Sequence, residues 1–244
     1  MINHLRLLLA VAIGLSVAPV ALAQPITITN AGFELPAAGP GTFSGSQTAG
    51  PPGWSVYNTG PTNSNRFFGV WNPTGTTSFN LPVPQGQRIG VVFLDDSLGL
   101  EAGLTQTLGS TLQLSTAYTM NVGVGNFRPS VGDPWDFTGF PGYRVELRAG
   151  GELLAADNNT LLPSEGTCLT STVSFTTGSS HLNAGQALSI HLVSLNGPGV
   201  EVNFDDVRLV ATPVPEPSSV LVIAGIACSV FIRRHLNTTA KSSR

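Results

Sequence analysis

The feature that most limits the fold of this chain is a two-residue alternation of apolar side chains. In the segment 117–125, Tyr118, Met120, Val122 and Val124 fall on one side and smaller or polar residues on the other. Successive side chains of an extended strand point to opposite faces, so such a segment covers a core with one face. The same pattern returns with Tyr143, Val145 and Leu147 in 143–149, and with Leu188, Ile190 and Leu192 in 187–194. Ile89, Val91 and Val92 mark a buried strand in 88–94, and shorter strands are predicted at 26–29, 103–108 and 171–176. The last strand, 200–210, carries Val202 and Phe204, then Val207 and Leu209. That change of parity predicts a bulge at Asp205-Asp206. Gly, Pro and Asn separate these runs, and none of them has a long helical period. The fold class is therefore all-β, a β-sandwich of jelly-roll type.

Two stretches read differently. Residues 35–85 are rich in Gly, Pro, Ser, Thr and Asn, with apolar islands at 54–57 and 66–71. They are expected to form long loops with one or two short strands. A second loop, 126–142, holds Trp135, Phe137 and Phe140. Long loops on a rigid scaffold are where binding tends to reside. Charged residues make up only 10% of the chain and the formal net charge is −3, with no basic stripe, which speaks against a nucleic-acid partner. Of the two cysteines, Cys228 lies in the C-terminal apolar run, so Cys168 is read as a small buried or free thiol.

The two ends carry separate signals. Arg6, the apolar run 7–17 and the Ala21-Leu22-Ala23 ending form the three-part pattern of a secretion signal, residues 1–23, with cleavage between Ala23 and Gln24. The mature sandwich domain is then 24–212. At the other end, a proline-stiffened stretch precedes the apolar run 220–232, which spans about 20 Å as a helix against a hydrocarbon core of about 30 Å. Extended by the snorkelling stems of Arg233 and Arg234, it reads as an anchor helix with its basic end cytoplasmic.

Pro215-Glu216-Pro217, the apolar run and Arg233-Arg234 together resemble the PEP-CTERM sorting signal. The resemblance covers about the last tenth of the chain, and the tail 237–244 runs beyond the usual end of that signal. It implies sorting segment 213–236, an exosortase-type processing protease as partner, and a membrane-held precursor. The product would reside at the cell surface or outside the cell. The body resembles the galactose-binding-like jelly rolls of many carbohydrate-binding modules, on Asn30-Ala31-Gly32-Phe33-Glu34, Gly53-Trp54 and Phe204-Asp205-Asp206-Val207. This second resemblance implies first and last strands side by side. It also implies a structural calcium on Glu34 and Asp205, a hard ion that takes carboxylate and carbonyl oxygens. The residues require no cofactor beyond that.

A sugar site needs flat rings beside hydrogen-bonding groups, and Tyr57, Trp71 and Trp135 are the candidate glycan-binding rings. Catalytic signals are weak. His181 and His191 lack metal-ligand spacing, the carboxylates are scattered, and there is no nucleophile elbow, P-loop or dinucleotide fingerprint. The expectation is a non-catalytic exported surface or matrix protein that associates with exopolysaccharide. Two other readings stay open: a lectin-like module with a defined glycan site, and a matrix-remodelling glycosidase or lyase whose paired carboxylates come from distant strands.

Overall fold

The structure, a computed structural model, describes residues 22–58, 65–96, 100–129, 137–195 and 197–214. These form two antiparallel sheets and no α-helix. The signal segment before residue 22 and the sorting segment after residue 214 lie outside the described residues, as do the anchor and signal helices expected there.

The strands in chain order are β1 (Gln24–Ile26), β2 (Phe43–Ser46), β3 (Ser55–Asn58), β4 (Asn65–Trp71), β5 (Ile89–Asp96) and β6 (Ala102–Thr111). They continue as β7 (Thr116–Asn126), β8 (Tyr143–Ala149), β9 (Glu152–Asn158), β10 (Thr167–Thr176), β11 (Ala187–Ser194) and β12 (Gly197–Pro213). One sheet runs β10-β7-β12-β5-β4-β2, with β1 added to β12, and the other runs β3-β6-β11-β8-β9. Apart from the consecutive pairs β4-β5 and β8-β9, strands adjacent in a sheet are not consecutive in sequence, so the chain crosses repeatedly between the two sheets.

The sandwich core follows the sequence alternation. Met120, Val122 and Val124 of β7, Val92 and Leu94 of β5, and Val202 and Phe204 of β12 meet Leu147 of β8 and Ile190 and Leu192 of β11. The bulge expected in β12 is present. The ladder to β7 slips between Asp205 and Arg208, Asp206 takes φ 50°, and Val207 returns to the core. β1 pairs with β12 through Gln24 and Ala211, so first and last strands are neighbours.

One edge of the sandwich is closed by a carboxylate. Asp157 on β9 accepts hydrogen bonds from Tyr143 on β8, Ser171 on β10, and the backbone N–H and hydroxyl of Thr160. β10 belongs to the opposite sheet, so this residue ties the two layers together. Burial works against its charge, but the donors outweigh it and hold its carboxyl below the usual range.

Two strands differ from the sequence reading. β2 sits in the stretch read as loops, because its Phe-Ser-Gly-Ser sequence carries no alternation. β9 is alanine-rich and lacks β-branched residues, so its strand character comes from pairing with β8.

Candidate active site

In a sandwich only one face of each strand need be apolar. β4 and β5 break that rule. Phe68, Val70, Val92 and Leu94 fill the core, yet Phe67, Trp71, Ile89, Val91 and Phe93 on the opposite parity are also large and apolar. They line the outer face of the seven-stranded sheet, and the segments around Phe79, Val83, Phe127 and Phe137 fold over part of it as a second hydrophobic cluster.

Between that cover and the sheet lies a cavity of about 240 Å³, lined by Phe43, Asn65, Phe67, Trp71, Val91, Phe93, Phe127, Phe137 and Glu201. Strand register sets its rows. Phe67 pairs with Phe93, and Phe93 with Glu201; Phe43 pairs with Trp71, and Trp71 with Ile89. Between these rows Gly45 pairs with Gly69, leaving the floor low. The ring of Phe43 lies over these two glycines: a methyl group on Gly69 would come within 2.8 Å of its Cζ. The aromatic wall is continuous. Ring centroids are 5.2 Å apart for Phe93 and Phe137, 5.7 Å for Phe127 and Phe137, and 6.0 Å for Trp71 and Phe127. The Trp71 indole N–H donates to Ser78 Oγ at 2.9 Å, which fixes the ring.

Among the described residues, Glu201 is the one acidic residue lining this cavity. It is 5% exposed and has no cation partner among the described residues. Burial pushes its carboxyl up to about 7, against the lowering effect of a hydrogen bond from Asn203. An acid with that proton affinity, set among rings that exclude water, is suited to proton donation near neutral pH.

The residues singled out from the sequence fall in separate places. Trp71 lines the cavity. Tyr57 on β3 belongs to the other sheet, with its ring 5.3 Å from His191. Of the cleavage pair, Gln24 opens β1 and Ala23 directly precedes it, while Trp135 and the sorting residues Pro215, Glu216, Pro217, Arg233 and Arg234 lie outside the described residues.

Glu34 and Asp205, the pair implied to hold calcium, converge on the backbone of residues 85–88, but as acceptors of backbone N–H groups. Glu34 Oε1 accepts from the N–H groups of Gln87 and Arg88, and Oε2 pairs with the Arg88 guanidinium at 2.7 Å. Gly86 permits this turn, since at φ 67° a side chain there would strike the Glu34 carboxyl. Asp205 accepts from the N–H groups of Gln85 and Asp206. Among the described residues no group of three or more His, Cys, Asp or Glu is gathered for a metal. Glu34, already neutralised by Arg88, does not fit a calcium ligand. Asp205 fits in part: it is fully buried, and burial pushes its carboxyl up to about 8.

Glu201 was missed by sequence reasoning. A carboxylate between Val200 and Val202 reads as the solvent side of a strand. The available signal was indirect: the two-faced apolar character of Phe67-Phe68 and of 91–94 implies that both sides of this sheet are covered.

The comparisons agree with this geometry. The HpiC1-like cyclase family (HpiC1 cyclase) matches residues 24–210. The Stig cyclase Fisc from Fischerella sp. TAU, solved in complex with (3Z)-3-(1-methyl-2-pyrrolidinylidene)-3H-indole, is 35% identical with a TM-score of 0.71, covering 80% of this chain and 100% of its own. An apo cyclase from Fischerella sp. is 36% identical with a TM-score of 0.71, covering 80% and 98%. A cyclase from Fischerella sp. TAU in complex with 4-(1H-indol-3-yl)butan-2-one is 36% identical with a TM-score of 0.69, covering 79% and 100%. No curated protein matches the chain.

These matches correct the sequence reading of function. The expectation of a non-catalytic surface or matrix protein is overturned by a cyclase match across the whole sandwich, and the lectin and glycosidase alternatives fit no better. The PEP-CTERM and galactose-binding-like resemblances, with their exosortase, membrane and exopolysaccharide partners, find no support in relatives that hold small indole compounds. The body motifs behind the second resemblance sit at a turn, where Asn30 takes φ 51° and Phe33 φ 52°, and at the bulge of β12. By the extent of the match and the identity to solved relatives, the chain belongs to the HpiC1-like cyclase family.

Proposed function

We propose that this protein is a cyclase that closes a ring on an apolar, indole-bearing small molecule, with Glu201 as the proton donor. The observation that carries the reading is one buried carboxyl, pushed up to about 7, at the edge of an aromatic-walled cavity. The indole compounds held by the Fischerella cyclases supply the substrate class.

The chemistry balances within the cavity. Glu201 gives its proton to a carbon of a substrate π-bond, leaving a cation on the neighbouring carbon. A second π-bond attacks that carbon, and the new carbon–carbon bond closes the ring. A proton lost from a carbon beside the resulting cation restores either an alkene or the indole aromaticity and returns to the carboxylate. Product and substrate are isomers. The faces of Phe93, Phe137 and Trp71 offer negative quadrupoles to the passing cation, and the dry wall keeps water from trapping it.

The test is incubation of residues 24–212 with indoles that bear an alkene chain, followed by mass-resolved chromatography. A product of unchanged mass and altered retention, absent with Glu201→Gln, is expected. Conversion by Glu201→Gln at the unaltered protein's rate would remove Glu201 from the role. Failure of 4-(1H-indol-3-yl)butan-2-one to quench the fluorescence of Trp71 would remove the substrate class.

Two further points belong to the same reading. Export is supported by the signal pattern of residues 1–23 and by the family match beginning at residue 24; mass spectrometry of the exported protein should give Gln24 as its first residue. Calcium has a place as a structural ion at Asp205, supported by the full burial of that carboxyl without a cation partner among the described residues. A melting temperature indifferent to both calcium and chelator removes it.

A further inference from the structure

We propose that Asn203 is a positioning residue that keeps the Glu201 proton on Oε2, the carboxyl oxygen left to the cavity. The inference rests on the reading of Glu201 as the acid.

Asn203 follows Glu201 by two residues on β12, so both side chains stand on the outer face of the sheet. It is fully buried and pairs in register with Val91 on one side and Gly125 on the other. Gly125 makes room for it: a methyl group there would come within 3.1 Å of Asn203 Cβ. The Asn203 Nδ2 group donates to Glu201 Oε1 at 2.9 Å and to the Gly90 carbonyl at 3.4 Å. Its Oδ1 is buried with no hydrogen-bond partner.

The amide orientation is decided by chemistry. The Gly90 oxygen is a backbone carbonyl and only accepts, so the NH₂ end must face it. Turning the amide over would set oxygen against oxygen. The structure leaves Oδ1 unpaired to keep two acceptors on Nδ2.

The consequence falls on Glu201. An NH₂ group cannot accept a proton, so Oε1 stays an acceptor while this bond lasts. The carboxylic proton is confined to Oε2, which makes no hydrogen bond among the described residues yet is not among the sealed polar atoms. Glu201 lines the cavity, and Oε2 is the oxygen that the Asn203 bond leaves to it. The proton then leaves from one atom in one direction. After transfer, Asn203 still holds the carboxylate in place for the returning proton.

The experiment needs no substrate. In protein labelled uniformly with ¹³C and ¹⁵N, the Glu201 carboxyl resonance is assigned by its loss in Glu201→Gln, and the Asn203 Nδ2 resonance by through-bond correlation to the Asn203 backbone. Asn203→Leu should move the Glu201 midpoint upward, because the one hydrogen bond favouring the ionised form is gone. In the unaltered protein, the Asn203 Nδ2–H resonances should follow pH with the Glu201 midpoint and lose that dependence in Glu201→Gln. This second measurement stands even where the leucine variant fails to fold. An Asn203 resonance indifferent to the Glu201 titration overturns the proposal, as does a folded leucine variant with an unmoved midpoint. Failure of the acid reading is distinct: it appears as full turnover by Glu201→Gln, whatever the resonances do.

Discussion

Glu201 stands directly opposite Phe93 in the β12–β5 ladder, and Phe93 stands 5.2 Å from the ring of Phe137. The acid is therefore sealed on the side from which water would hydrate its charge, and its proton affinity rises to about 7. The donor form is the protonated one. Turnover should be highest below that value and fall tenfold per pH unit above it, as the carboxyl ionises. A rate measured from pH 5 to 9 checks this, and a rate that climbs with pH would point to a base instead.

The same burial carries a cost in stability that depends on pH. The unfolded carboxyl ionises near 4.5 and the folded one near 7. Below the lower value both states hold the proton and nothing is lost. Between the two the unfolded state ionises alone, so stability falls, and above about 7 the loss is constant. Glu201→Gln keeps the acceptor for Asn203 and removes the charge. It should raise the melting temperature at pH 8, by up to about 3 kcal/mol in stability, and leave it unchanged at pH 4. Equal melting at both pH values would show that the carboxyl is not desolvated as described.

The sandwich was legible in the sequence and the site was not, for one physical reason. Strands such as β7 announce their buried face by alternation, and Tyr118, Met120, Val122 and Val124 all point into the core as read. The bulge after Phe204 was legible too, because a parity change leaves little else for the chain to do. A site on the outer face is written in the other parity, where Glu201, Asn203 and Asp205 look like an ordinary wet side. Only the neighbouring strands reveal that the face is covered, and which strands are neighbours is a matter of topology. β12 meets β5 across more than a hundred residues of chain, as the pairing of Asn203 with Gly90's neighbour Val91 shows. The missed β2 matters for the same reason, since it carries Phe43 to the cavity edge.

Asp157 offers a test of the scaffold apart from the site. It collects four hydrogen bonds from three segments and joins β9 to the opposite sheet. Asp157→Ala leaves Tyr143 and Ser171, both fully or nearly fully buried, without their acceptor. The expected loss is about 3 kcal/mol, read as a lower urea midpoint with an unchanged slope. Because its folded carboxyl is held below the ordinary value, this contribution is present at neutral pH and fades as pH falls through the folded value. Stability equal to that of the unaltered protein at pH 7 would mean that the network does not close the sandwich edge.

The low floor of the cavity depends on the absence of two side chains. Gly45 and Gly69 face each other beneath the Phe43 ring, and a methyl group on Gly69 would come within 2.8 Å of Phe43 Cζ and 2.7 Å of Gly45 Cα. The second contact is backbone and cannot swing aside. Gly69→Ala should therefore push β2 and Phe43 away from β4, at a cost of about 1–3 kcal/mol in stability, and weaken binding of the indole probe. Gly109→Ala is the control: it lies in β6, and its methyl group would meet nothing within 4 Å. Fluorescence titration and thermal melting of both variants separate the two effects. A Gly69→Ala protein that binds and melts like the Gly109→Ala control would show that the glycine pair does not shape the floor.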